Sequence, residues 1–178
     1  MKGINARVLA GLIIALLFMF MACNQTSEQQ RVPDPKEIRK TFEESNKILL
    51  EAEKQEILDF ISRYGWDMQE SGTGLWYKIY HEGSGAYAQS GALAIIHYKI
   101  HLLTGDLVYS SETDGAREFK IGRGGVELGL EEGILLMREG DKARFIMPSH
   151  LAHGVPGDGV KIPARATIVY DVELVELK

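Results

Sequence analysis

The hydrophobic period of the chain changes at Gly72-Thr73-Gly74. Beyond that point Leu75, Tyr77 and Ile79 alternate with Trp76, Lys78 and Tyr80, until Gly83-Ser84-Gly85 breaks the run. Ala94, Ile96, Tyr98, Ile100 and Leu102 then share one face of a second stretch, and His97, Lys99 and His101 share the other. A period of two belongs to a strand with one buried and one wetted face, because successive side chains point to opposite sides of a sheet. Thr104-Gly105-Asp106 predicts a turn and Leu107–Ser111 a returning strand. Glu118–Ile121 and Lys142–Met147 read as further short strands, and Thr167–Leu177 as a last one with Ile168, Tyr170, Val172 and Leu174 on one side. Within Gly129–Met137, Leu130, Ile134 and Met137 fall at i, i+4, i+7, the spacing of one short helix. The predicted class is α+β: an antiparallel sheet curved around one short helix, occupying residues 74–178.

Ahead of the switch the pattern is helical. Asp34-Pro35-Lys36-Glu37 has the signature of a helix start: a capping carboxylate, a proline suited to the first turn, and a glutamate able to complete a capping box. No Pro or Gly interrupts the chain from there to Tyr64, and Ile38, Phe42, Leu49, Ala52, Phe60 and Ile61 recur at roughly helical spacing. Gly65 ends the run. A long amphipathic helix over 34–65 is therefore expected, separable from the 74–178 domain. Its stripe is irregular and leaves three roles open: lying on its own domain, pairing with a second copy in a homodimer, or serving as a stalk.

Residues 1–23 read as an address. Lys2 and Arg7 precede Val8–Ala22, an uncharged apolar run of 15 residues. Spanning a bilayer takes about 20, so the run fits the apolar region of a secretory signal. Phe20-Met21-Ala22-Cys23 resembles the lipobox of bacterial lipoproteins, which makes Cys23 the expected lipidation site after removal of residues 1–22. A cleaved signal leaving a free thiol and an uncleaved anchor are the alternatives. Acylation is favoured because a lone thiol is a liability in an oxidising compartment. The polar stretch that follows, residues 23–33, reads as a tether. The expected location is the cell envelope, with the domain outside the cytoplasm on the periplasmic or outer-membrane side.

Charge and composition exclude several classes. Lys and Arg total 20 against 25 Asp and Glu, for a net charge of −5, and no basic stretch compensates, so nucleic acid is not an expected partner. Removing residues 1–22 takes away two cations and no acid, leaving a body that anionic headgroups repel; attachment would rest on the acyl chains. The single cysteine excludes an internal disulfide. Lys99 lies between His97 and His101, and His150 and His153 lack a third ligand nearby in sequence, so no metal is expected. Gly122-Arg123-Gly124-Gly125 is not followed by Gly-Lys-Ser/Thr, no Gly-x-Ser-x-Gly elbow occurs, and no further thiol is available. Neither a cofactor nor a covalent nucleophile is expected.

Seven segments, taken in order, resemble the FK506-binding-protein (FKBP) family of peptidyl-prolyl cis-trans isomerases. They are Gly74–Ile79, Ile96-His97-Tyr98, Gly105 with Ser110-Ser111, Gly129–Gly133 with Met137, Pro148–Gly154, Ile162-Pro163 and Ala166–Leu174. The lipoprotein-like start, the long helix and Tyr109-Ser110-Ser111-Glu112 are similar, more narrowly, to its gliding-motility-associated members. The resemblance implies an FKBP-like fold and isomerisation of X–Pro bonds in exported proteins without a covalent step. Proline-containing segments would then be the partners, and the membrane would be reached through the lipid anchor.

By the same resemblance, Tyr98, Tyr109, His153 and Tyr170 take the catalytic positions, and Val108, Phe119, Val126, Glu127, Leu130 and Ile162 bind substrate. Four places depart from the family pattern. Val108-Tyr109 stands for Phe-Asp, Glu127 for Ile, Leu130 for the Trp at the cup floor and His153 for Tyr. These departures predict weak activity and keep a second reading open, a binding module or chaperone on the same fold.

Overall fold

The computed structural model describes residues 34–178; Cys23, the signal-like segment 1–22 and the tether 23–33 lie outside the described residues. Helix α1 (Pro35–Tyr64) begins at Asp34, whose Oδ1 accepts the Lys36 N–H at 2.9 Å and so satisfies one of the donors a helix start leaves free. It ends at Gly65, where φ is +63°. The Trp66 N–H reaches the Ile61 carbonyl and the Gly65 N–H that of Ser62, both at 3.1 Å, the paired closure of a Schellman cap. A side chain at position 65 would meet the left-handed backbone penalty that glycine escapes.

Seven strands form one antiparallel sheet: β1 (Gln69–Glu70), β2 (Trp76–His81), β3 (Leu93–Leu102), β4 (Leu107–Ser110), β5 (Arg117–Lys120), β6 (Lys142–Met147) and β7 (Ile168–Leu177). The order is β1-β2-β6-β7-β3-β4. β5 pairs with the first half of β3, from Leu93↔Lys120 to Ile96↔Arg117, and β4 with the second half. A four-residue helix, α2 (Ser111–Asp114), follows β4, and helix α3 (Leu128–Ile134) lies between β5 and β6.

The main core lies on one face of the sheet. Leu130 and Ile134 of α3, with Met137 just beyond its end, are fully buried among Ala143, Phe145 and Met147 of β6 and Ile168, Tyr170, Val172 and Leu174 of β7. Close approach sets this packing: a Cβ at Gly133 would stand 2.6 Å from the Phe145 ring, so only glycine lets α3 sit on β6.

The opposite face is covered too. Ile146 and Val169, the residues of β6 and β7 that point away from the main core, are buried with Ile57, Phe60 and Ile61 of α1. Glu53 ties the same helix to the domain. Its Oε1 accepts from the Ser149 N–H at 2.6 Å and the Thr167 hydroxyl at 2.9 Å. The expected separation of 34–65 from 74–178 therefore does not match the packing. One compact unit runs from Ser45 to Lys178 and includes the second half of α1. The physical reason is that β6 and β7 carry apolar residues on both faces.

Candidate functional site

A cleft of about 400 Å³ opens beside the outer half of β3, lined by Tyr98, Ile100, Tyr109, Asp114, Gly115, Ala116, Arg117, Glu127, His153, Asp158 and Val160. β3 supplies Tyr98 and β4 supplies Tyr109, so alternation along two paired strands places both rings. Glu127 sits at the start of α3. His153 follows a single 3-10 turn (Ser149–Leu151), and Asp158 and Val160 lie on the segment leading to β7.

The floor holds charge where a proline ring would favour an apolar surface. Tyr170 is fully buried there, its ring centroid 6.1 Å from that of Tyr98. The Arg117 guanidinium donates to the Tyr170 hydroxyl at 3.1 Å, to Glu127 at 3.0 and 3.3 Å, and to the Gly125 carbonyl at 3.2 Å. His153 Nε2 stands 3.2 Å from Glu127 Oε1. Glu127 is only 8% exposed, so its charge is held by the Arg117 guanidinium rather than by water. Burial, with Glu127 nearby, pushes the Tyr170 phenol well above its ordinary value and keeps it protonated.

Tyr98 and Tyr109 differ in what their hydroxyls do. Among the described residues the Tyr98 hydroxyl has no hydrogen-bond partner, which leaves a donor facing the cleft; desolvation and then Asp114 raise its pKa. The Tyr109 hydroxyl donates to Asp158 Oδ2 at 2.5 Å. That bond pushes Tyr109 up to about 12. Desolvation alone would raise Asp158, but the bond from Tyr109 and the N–H groups of Val160, Ile162 and Lys161 outweigh it and hold the carboxyl well below the usual range.

The sign follows from linkage. Asp158, depressed, contributes fully above about pH 4 and loses its contribution as pH falls through its lowered value. Tyr109, raised, contributes fully below about pH 10 and loses it as pH rises through about 12. The Tyr109 ring NMR shifts should therefore stay flat from about pH 4 to 10; a titration midpoint near neutrality would contradict the bond.

Of the ten residues singled out by resemblance, Tyr98, Tyr109, Glu127 and His153 line the cleft together, with Tyr170 beneath them. Val108, Leu130 and Ile162 are buried in the main core, and Val126 packs partly buried against it. Phe119 is a correction. It is buried in the core, and the β5 residue facing the cleft is Arg117, two positions earlier on the same strand face. Period-two counting back from Phe119 places Arg117 on the same face, but does not show which of the two reaches the cleft. Asp158, between Gly157 and Gly159, carried no signal beyond a turn; its role depends on Tyr109, 49 residues away.

The family model of the FKBP-type peptidyl-prolyl cis-trans isomerase matches residues 85–175, a span that contains every residue of this cleft. The chain belongs to that family. It is 28% identical over 173 residues to the probable FKBP-type isomerase FkpA of Neisseria meningitidis serogroup B, covering 85% of this chain and 63% of the relative. It is 43% identical over 88 residues to FK506-binding protein 2 of Dictyostelium discoideum, covering 49% of this chain and 66% of the relative. The chain thus spans somewhat under two thirds of the length of each.

Among solved structures, AtFKBP13 superposes with a TM-score of 0.60 at 31% identity, covering 63% of this chain and 99% of that one. FkpA from Escherichia coli superposes with a TM-score of 0.61 at 24% identity, over 99% of this chain and 84% of that one, and supports the FKBP fold.

Proposed function

We propose that this protein is a peptidyl-prolyl cis-trans isomerase that assists the folding of exported proteins. The observation that carries this reading is the cleft itself, an aromatic-walled recess inside the family's matched span, lined by Tyr98, whose hydroxyl has no hydrogen-bond partner among the described residues. Rotating an amide through 90° breaks its resonance against a barrier of about 18–20 kcal/mol, and no bond has to be made or broken. A site that grips the twisted amide better than either planar form lowers that barrier. The Tyr98 ring, backed by the buried Tyr170, offers an aromatic surface to the prolyl ring, and the Tyr98 hydroxyl offers a hydrogen bond to the substrate carbonyl. Arg117 and Glu127 work against this by adding charge beside Tyr170.

That ion pair supports the second reading, an FKBP-like binding module with little turnover, serving an envelope machine. A protease-coupled assay on an Ala-Leu-Pro-Phe peptide separates the two. Weak but measurable acceleration is expected from the wild type, with a gain in Arg117→Met/Glu127→Ile. Peptide binding without acceleration in both proteins would establish the binding module.

An N-terminal signal, lipidation at Cys23 and an envelope location complete the proposal, on the strength of residues 1–23 alone. Cys23→Ala should abolish lipid labelling; labelled, membrane-bound variant protein would refute the anchor. Pairing of two copies through residues 34–64 is part of the same proposal, supported by Ile48, Leu49 and Leu50, which α1 leaves exposed. Sedimentation showing monomers at high micromolar concentration would refute it.

A further inference from the structure

We infer that Tyr109 and Asp158 form a clasp that holds the 154–163 segment against the edge of the cleft, which makes the Tyr109 hydroxyl a positioning group rather than a free donor to substrate. The part of this concerning peptide affinity rests on the isomerase reading; the clasp itself does not.

Both groups are spent on each other. The phenol proton goes to Asp158 Oδ2, while Asp158 Oδ1 collects the N–H groups of Val160, Lys161 and Ile162 at 2.8, 2.9 and 2.7 Å. One carboxylate thus folds the turn and fastens it to β4. Lys161 makes the return crossing, its Nζ donating to the Val108 carbonyl at 2.8 Å and standing 4.7 Å from the centre of the Tyr109 ring. The two crossings meet β4 at adjacent residues.

Within the segment the Asp158 N–H bonds the Ile162 carbonyl at 3.1 Å, and further restraints lie at its base. The Arg165 N–H bonds the Gly154 carbonyl at 2.9 Å, the Gly154 N–H bonds that of Ser149 at 2.7 Å, and Ile162 is buried in the core. At the tip, Val160 is 81% exposed, so packing does not hold it there. Yet Val160 and Asp158 form one wall of the cleft, and His153 at the segment's root forms the next. A wall ordered before the peptide arrives spares the complex the entropy of ordering it.

Tyr109→Phe keeps the ring and removes the proton, and Asp158→Asn keeps the shape and removes the charge. In either variant, amides of 154–163 should exchange with solvent about threefold faster or more, since a bond to a charged acceptor is lost. Prolyl-peptide Kd by NMR titration and KM should rise by a similar factor, with kcat within about twofold of wild type. The double variant should be no worse than Asp158→Asn alone, because the Tyr109 bond to the carboxylate is already lost there.

Unchanged loop exchange in Tyr109→Phe overturns the clasp. A fall in kcat with KM unchanged overturns the positioning role, because Tyr109 would then act on the substrate directly. Should the wild type neither bind nor turn over prolyl peptides, the isomerase reading fails, and loop exchange still decides the clasp.

Discussion

A chain beginning at Gly72 should melt about 10 °C or more below a chain beginning at Ser45, or fail to fold. Starting at Gly72 removes Ile57, Phe60 and Ile61, which are buried on Ile146 and Val169, together with Trp66 and Met68 packed at the edge of that cluster. Each fully buried side chain of this size contributes about 1.5–3 kcal/mol, so the three together supply roughly 5–9 kcal/mol as an upper estimate. That is comparable to the whole net stability of an ordinary domain, about 5–15 kcal/mol, and for a domain near 100 residues each kcal/mol moves Tm by roughly 4–8 °C. The loss also bares two apolar strand residues at the centre of the sheet, a surface prone to association. The shortened chain should therefore bind a hydrophobic dye that the Ser45 chain does not. Coincident melting curves for the two chains, followed by circular dichroism, would show that α1 contributes nothing to the core.

The second large effect lies at the cleft floor and depends on which partner is removed. Arg117→Met strands the Glu127 carboxylate, which is 8% exposed and keeps only His153 and the Tyr170 hydroxyl beside it. Breaking a buried pair from one side in this way costs about 3–5 kcal/mol. Glu127→Ile should cost less, because the Arg117 side chain is 29% exposed and can turn its charge to water. Arg117→Met/Glu127→Ile removes both charges and should come out near neutral or more stable than wild type, as replacement of buried ion pairs by apolar groups often does. Urea unfolding of the four proteins gives the coupling energy directly. Additive losses, with the double variant the least stable, would mean that the pair is not an electrostatic unit. The same double variant leaves an apolar floor around Tyr170, which is why it is expected to gain isomerase activity.

Strand and helix periods were legible because each is local. The alternation of 75–80, 94–102 and 167–177 and the i, i+4, i+7 spacing of Leu130, Ile134 and Met137 needed no knowledge of partners. Tyr98 and Tyr170 could be placed on inward faces for the same reason, and the order of short segments pointed to the FKBP family the chain belongs to.

What alternation could not reveal is what covers the second face of a strand. Ile146 and Val169 break the in–out pattern of β6 and β7, and only the packed helix shows that they are buried against α1. Nor could sequence separate Phe119, in the core, from Arg117, at the cleft, since both lie on one face of β5 and depth along a face depends on what packs above it.

The charge arrangement was further out of reach. Glu127 and His153 looked like two independent polar departures, and Tyr109 like a lost carboxylate. Hydrogen bonds act over about 3 Å whatever the separation in sequence. Folding is what brought Arg117 and His153 to Glu127, and Asp158 to Tyr109 across 49 residues. The sequence by itself determined which side chains were available and which faces they occupied; the tertiary structure decided which of them neutralise one another.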